Sequence, residues 1–232
     1  MAGTVGAVLP AGGSGRRMAA PGRPAKQFRT LGGAPLVVHA ARAFARHPEI
    51  GLVIVVVPAG DEAATATSLA EHEVEADVVT GGHSRQSSVG RGLAAVPVGL
   101  ETVLVHDAVR PFVTQSVIGS VTDAARRHGA SAAALPVADT LRLGGEGPLF
   151  GETVPRDGLW AMQTPQAARR DWLVRAHANA AGWEATDEVG LLQRMGHPVH
   201  IVEGDPRTFK VTRPSDWRLA EALWPAWGAG GE

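Results

Sequence analysis

The stretch Val5-Gly-Ala-Val-Leu-Pro-Ala-Gly-Gly-Ser-Gly-Arg-Arg-Met18 decides how the rest of the chain is read. Val5 to Pro10 is apolar on successive residues, as a strand buried on both faces must be. It runs into a glycine-rich turn followed by two cations. Glycines let backbone N–H groups approach an anion, and the carboxyl end of a strand is where open α/β sheets bind ligands. Pro10, Ala11, Gly12, Gly13 and Gly15 therefore read as a phosphate cradle; the alternative is a tight turn carrying surface arginines. A dinucleotide fingerprint does not fit, because Arg16-Arg17-Met18 stands where the third glycine belongs, and a Walker loop does not fit without Gly-Lys-Ser/Thr.

Outward from that turn, short β-rich runs alternate with helical stretches, which predicts an α/β fold with a mainly parallel twisted sheet and flanking helices. Strands are expected at Val5 to Pro10, Leu52 to Val57, Ala76 to Thr80, Thr102 to His106 and Ser131 to Val137. Helices are expected at Leu36 to Arg46, Asp61 to His72, Ser84 to Ala95 and Thr114 to His128, with Thr114 as an N-cap. The alternation breaks over Ala138 to Arg156, where Gly144, Gly145, Gly147, Pro148, Gly151 and Pro155 exclude a helix. There Thr140-Leu-Arg-Leu143 and Leu149 to Val154 pair as a hairpin, so the segment at about 138–156 reads as a projecting β-arm suited to a second subunit. Helices at Asp171 to Ala181, Asp187 to Met195 and Asp216 to Leu223 and a strand at Val199 to Glu203 complete a single domain over residues 1–232. The tail from Trp224 is expected to fray, while Trp217, Trp224 and Trp227 read as core or interface packing rather than base-stacking platforms.

Composition narrows the function. The chain has 232 residues, 44% of them apolar and 19% charged, enough for a substantial core. A net charge of −1 argues against nucleic acid or a polybasic membrane surface as the partner. With no cysteine, disulfides, thiolate nucleophiles, iron–sulfur clusters and cysteine zinc sites are excluded. Nine histidines form no His-Glu-x-x-His or comparable cluster, and His197 and His200 read as surface residues. The longest plainly apolar run, Leu52 to Val57, is far too short for a membrane span, and no signal peptide precedes it, so a cytoplasmic enzyme with small-molecule partners is expected. Of 22 basic residues, two are lysine, Lys26 and Lys210.

Seven blocks then carry a resemblance. They are Leu9-Pro-Ala-Gly-Gly-x-Gly-x-Arg-Met18 with Pro24-Ala-Lys-Gln27, Val105-His-Asp-Ala-Val-Arg-Pro111, Pro136-Val-Ala-Asp-Thr140, Arg156-Asp-Gly-Leu-Trp160, Gln163-Thr-Pro-Gln166, Thr186-Asp-Glu188 and Phe209-Lys-Val-Thr-Arg-Pro214. In that order, over nearly the whole chain, they resemble the 2-C-methyl-D-erythritol 4-phosphate cytidylyltransferase family. The resemblance implies a Rossmann-like nucleotidyltransferase fold and cytidylyl transfer from CTP to methylerythritol phosphate in the non-mevalonate route to isoprenoids. It also implies magnesium as cofactor, held mainly by the CTP phosphates, and a homodimer joined through the β-arm. Some relatives carry a fused cyclodiphosphate synthase; because the chain stops just after its last helix, none is expected here.

Such a transfer needs an oxygen nucleophile in line with the α-phosphorus and cations around a transition state that spreads negative charge. A phosphate monoester, with a second pKa near 6, is mostly dianionic at neutral pH, so the absence of a convincing general base is consistent with the reaction. By the family pattern Arg17 and Lys26 neutralise the triphosphate. Eight residues separate them, a longer segment than expected, and Arg16 and Arg23 offer further phosphate contacts. Asp107 follows a buried strand onto the same rim as the glycine turn; the resemblance implies that it and Ala108 contact the ribose and that Asp107 and Arg110 face the acceptor. Gly82 and Ser88 match residues that read cytosine, with an ordinary turn and helix start as the alternative.

On the acceptor side the family pattern implies Thr140, Thr186, Arg156 and Lys210. Arg156 is expected to reach the acceptor bound by the partner subunit, and Lys210 to hold its phosphate for attack; Thr186 reads equally as a helix N-cap. A cytidylyltransferase for another polyol phosphate, such as ribitol 5-phosphate, is the nearest rival. A dinucleotide-dependent oxidoreductase and a nucleotide-sensing module stand further off.

Overall fold

The computed structural model describes residues 3–12, 24–180 and 182–228. A seven-stranded sheet organises them. Its first strand, β1 (Val5–Pro10), is flanked by β4 (Ile50–Val57) and β6 (Thr102–Val105), both parallel to it, with β5 (Asp77–Thr80) parallel beyond β4. On the other side of β6 come β10 (Trp160–Arg169), β7 (Ala130–Pro136) and β11 (His200–Glu203), giving the order β11-β7-β10-β6-β1-β4-β5. Only β10 runs antiparallel to its neighbours within this sheet.

Both faces of the central strands are buried, which is why they lack polar alternation. Val5, Ala7 and Leu9 of β1 pack on one face with α1 (Leu36–Ala45) and α4 (Gln115–His128). Val8 packs on the other with α3 (Arg85–Ala95), α5 (Arg170–Ala178) and α6 (Glu188–Arg194). Leu69 of α2 (Glu62–Glu71) joins the first face. Thr114 caps α4 as the sequence predicts, accepting from Val117 N at 3.1 Å, and Ser84 adds a reciprocal capping box with Ser87 at the start of α3. Among the described residues no helix is long and apolar enough to cross a membrane.

The arm is a hairpin of β8 (Leu141–Gly144) and β9 (Phe150–Val154), paired antiparallel from Leu141 opposite Val154. Three elements differ from the sequence expectation. The strand β10 is not legible, because Pro165 cannot donate to a ladder and Gln163, Thr164 and Gln166 interrupt the apolar run. The structure accommodates them by an irregularity between Met162 and Gln166 where β10 faces β7.

A second unforeseen element is a hairpin of β2 (Thr30–Leu31) and β3 (Ala34–Pro35), turned through Gly32 and Gly33 at φ +54° and +93°, a Gly-Gly turn with both central residues left-handed. Third, the last helix, α7 (Pro214–Gly228), continues past the expected end and includes Pro225. Trp224 does not belong to a frayed tail: its ring lies 4.2 Å from His39, and its indole occupies the space a Cβ on Gly32 would need. Burial of Trp224 and Trp227 against Phe112 holds this end of the helix.

Candidate functional site

Parallel strands deliver their carboxyl ends to one rim. Ala11 N donates to Val56 O at 2.7 Å, Gly81 N to Val57 O at 2.6 Å, and His106 N to Val8 O at 3.0 Å, so the turns after β1, β5 and β6 sit side by side. Pro10, Ala11 and Gly12 open the first turn, and Ala108 N reaches Pro10 O at 3.4 Å. Gly13, Gly15 and Arg17, with Arg16 and Arg23, lie outside the described residues.

Ser88 ties the second turn together. Its hydroxyl accepts from Gly82 N at 3.1 Å and donates to Ser84 O at 2.8 Å. A Cβ on Gly81 would fall 2.9 Å from that hydroxyl, and one on Gly82 would collide with Ser87, so both small residues are required by packing. Gly82 and Ser88 thus come together, with Gly12 against the same hydroxyl.

Asp107 is the centre of the site and only 6% exposed. Its Oδ1 accepts from Arg85 Nε at 3.1 Å; its Oδ2 lies 2.8 Å from Lys210 Nζ and 3.6 Å from Arg110 Nε. A buried carboxylate is tolerated only when paired. Burial pushes its pKa up, but the charges of Arg85, Lys210 and Arg110 overcome this and hold the carboxyl well below the usual range. Arg85 in turn grips buried Glu188 with both terminal nitrogens, at 3.0 and 2.9 Å. Burial lowers and the two carboxylates raise the pKa of Arg85, the carboxylates winning, so it is a fixed cation. Burial raises the pKa of Glu188 despite this grip.

The loop that carries Asp107 and Arg110 is braced from beneath. Asp107 N donates to Thr164 Oγ1 at 3.1 Å, and that hydroxyl pairs with His106 Nδ1 at 3.1 Å. His106 Nε2 meets Arg110 O at 3.0 Å; since a carbonyl only accepts, Nε2 carries the proton and Nδ1 accepts from Thr164. Burial lowers the His106 pKa to about 4, keeping the ring neutral. The irregular part of β10 is what brings Thr164 here.

The lysines meet on one segment. Lys26 Nζ donates to Val211 O at 3.0 Å, one residue from Lys210, and Val211 N is bonded to Val109 O at 2.9 Å. Arg110 Nη1 donates to Thr208 O at 2.8 Å, so residues 208–211 lie along the Asp107 loop. Thr140 and Arg156 stand apart at the root of the arm, both exposed, with Arg156 donating to Ala138 O. Among the described residues neither is paired with the Asp107 group within the chain. Thr186 is exposed, and the capping role falls to Asp187, which accepts from Gly190 N at 3.0 Å.

Sequence reasoning singled out Asp107, Arg110 and Lys210, which the structure joins, but missed Arg85, Glu188, His106 and Thr164. Arg85 sits inside the capping segment Gly82-His-Ser-Arg-Gln-Ser-Ser-Val89, and Glu188 looks like an ordinary first-turn helix acid. Their partnership, 103 residues apart, has no local signal.

The sequence model of IspD, 2-C-methyl-D-erythritol 4-phosphate cytidylyltransferase, matches residues 5–225. The chain is 48% identical over 224 residues to the 2-C-methyl-D-erythritol 4-phosphate cytidylyltransferase of Salinibacter ruber, covering 95% of this chain and 92% of that one. It is 43% identical over 215 residues to the bifunctional enzyme IspD/IspF of Desulfotalea psychrophila, covering 92% of this chain and 55% of that longer one. The crystal structure of 2-C-methyl-D-erythritol 4-phosphate cytidylyltransferase from Thermus thermophilus superposes with a TM-score of 0.80 at 38% identity, over 96% of this chain and 98% of that one.

Proposed function

The chain belongs to the 2-C-methyl-D-erythritol 4-phosphate cytidylyltransferase family, and with that as premise we propose how its residues carry the reaction. The reaction is cytidylyl transfer from CTP to 2-C-methyl-D-erythritol 4-phosphate, giving 4-diphosphocytidyl-2-C-methyl-D-erythritol and pyrophosphate, in isoprenoid biosynthesis. An oxygen of the acceptor phosphate attacks the α-phosphorus while the bond to the pyrophosphate oxygen breaks opposite it. Because the attacking phosphate is already dianionic, the protein supplies cations and alignment rather than a base.

In our reading Lys26, with Arg17, neutralises the triphosphate, and Lys210, with Arg156 from the partner subunit, holds the acceptor phosphate. The observation that carries this is the convergence of Lys26 on Val211 O and Lys210 on Asp107 at the strand-end rim. Lys210 can turn from Asp107 to a phosphate without stranding a buried charge, because Arg85 and Arg110 still balance the carboxylate. Pro10 to Gly12, Gly13, Gly15, Gly82, Ser88, Asp107 and Ala108 form the nucleotide side; Asp107, Arg110, Thr140 and Thr186 contribute to the acceptor side.

Among the described residues no three His, Asp or Glu side chains gather as a metal cage, and Asp107 is shared by three cations. That donor set fits a magnesium ion held mainly by triphosphate oxygens and water. When bound, the ion supplies neutralisation of phosphate charge; no protein ligand is assigned to it. The arm at 138–156 is read as a homodimer clasp: Leu143, Leu149 and Phe150 are 56%, 69% and 84% exposed on it, an apolar set that a second copy would cover. One nucleotidyltransferase domain acting in the cytoplasm completes the reading.

Pyrophosphate release with magnesium, crossing CTP, ATP, GTP and UTP against methylerythritol phosphate and ribitol 5-phosphate, tests the proposal. Turnover is expected with CTP and methylerythritol phosphate. Turnover with ribitol phosphate alone overturns the acceptor, and silence with every pair overturns the transfer.

A further inference from the structure

Asp107 divides its two oxygens between different cations. Oδ1 is taken by Arg85 Nε at 3.1 Å, and Oδ2 is left to Lys210 at 2.8 Å and Arg110 at 3.6 Å. An arginine beside a lone carboxylate ordinarily presents two parallel N–H groups and occupies both oxygens. Here it does not, because both terminal nitrogens of Arg85 are held by Glu188.

Glu188 is built to be immovable. It is 1% exposed, its backbone N donates to Gln166 Oε1 at 3.0 Å, and Val189 N shares that acceptor at 3.3 Å. Gln166 Nε2 closes the anchor on Asp187 Oδ2 at 3.2 Å, fixing the first turn of α6 to β10. His177 Nε2, 4.0 Å from Glu188 Oε1, is kept neutral by burial and does not compete with Arg85 for the carboxylate.

We propose that Glu188 is a positioning residue for the transfer: by holding the Arg85 fork it restricts Arg85 to one oxygen of Asp107 and reserves the other for Lys210. This rests on the reading of Lys210 as the acceptor-phosphate cation. Without the Glu188 charge the fork is free to turn onto Asp107, occupy both oxygens and displace the lysine. Glu188 thus sets where the lysine waits, although it contacts no substrate.

The test is a mutant cycle read by pyrophosphate release, with CTP saturating and methylerythritol phosphate varied. Glu188→Gln is expected to lower kcat/KM for the acceptor at least about tenfold in the otherwise unaltered chain, and less than about twofold in a Lys210→Met background. The Lys210→Met chain itself must show release above the enzyme-free rate for this comparison, and total loss there overturns the cycle's premise that the lysine is one of several cations. Equal losses in both backgrounds mark a merely structural role and overturn the proposal, as does unchanged turnover of Glu188→Gln. If circular dichroism shows Glu188→Gln unfolded, Glu188→Asp, which keeps the charge but draws the carboxylate back by one methylene from the Arg85 fork, carries the same two-background cycle. A loss at least about fivefold larger in the otherwise unaltered chain than in the Lys210→Met background is expected, and equal losses overturn the proposal. Silence of the unaltered chain overturns the parent transfer reading, whereas an active unaltered chain with an active Glu188→Gln variant overturns only the positioning role.

Discussion

The Asp107 cluster and the β-arm invert the ordinary distribution of side chains in opposite directions. In the cluster, two carboxylates are buried among cations from three distant parts of the chain. On the arm, leucines and a phenylalanine face outward. Burying polar groups and exposing large apolar ones both cost stability, so each departure marks a place where folding alone does not explain the sequence. The cluster satisfies its charges within one chain. The arm leaves its apolar surface uncovered within the chain.

The comparison can be broken most severely at Asp107. Asp107→Ala leaves Arg85, Arg110 and Lys210 facing one another, and removing one partner of a buried charge group costs about 3–5 kcal/mol. A fall of that size in the urea unfolding free energy is expected, with pyrophosphate release reduced more than about a hundredfold.

Acid perturbs the buried histidines, each by less than the loss of Asp107. Burial lowers the pKa of His39, His106 and His177 from 6.5 to about 4 each. The unfolded chain then takes up protons first as pH falls. Stability from these rings is fully present above about pH 6.5 and drains as pH drops toward 4, by roughly 1–2 kcal/mol per ring at pH 5. Urea midpoints at pH 7.5 and 5 measure the change, and His106→Asn should flatten part of it. An unchanged midpoint would show that the rings are not held neutral.

Exchanging the lysines probes geometry at constant charge. Lys26→Arg and Lys210→Arg are each expected to lower turnover at least about tenfold, roughly 1.4 kcal/mol in the barrier, because a planar guanidinium does not replace a compact ammonium. Wild-type rates in both would reduce the use of lysine at these two positions to compositional accident. On the arm, Phe150→Asp is expected to change protomer stability by less than about 0.5 kcal/mol, the scale of surface substitutions, while sedimentation velocity shows dimers giving way to monomers. A large loss of protomer stability would mean that the phenylalanine packs within its own chain.

Much of the fold was legible because its signals are local. Apolar runs such as Val5 to Pro10, the Thr114 cap and the breakers at 144–151 each specify their own element. The misses share a different cause. Strand β10 carries Gln163, Thr164 and Pro165 at positions that a ladder disfavours; Thr164 serves the Asp107 loop and Gln163 exchanges hydrogen bonds with the Asp205 backbone, partners that no local pattern announces. The Gly32-Gly33 turn carried a hairpin signal, but its two-residue strands are too short to show periodicity. Trp224 resembled a tail until Gly32 gave it a seat. In the site, Asp107, Arg110 and Lys210 stood in recognisable blocks, whereas Arg85 and Glu188 acquire meaning only from each other, across 103 residues.

The seat under Trp224 also bears on the order of events during synthesis. Residues 26–32 are held by much later residues: Lys26 by Val211, Arg29 over the Trp217 ring at 4.3 Å, and Gly32 beneath Trp224. Contacts so distant along the chain form slowly, and a growing polypeptide cannot make them until its last helix has emerged. Half-made chains therefore leave residues 26–32 without their partners until the segment from Val211 to Trp224 has been synthesised.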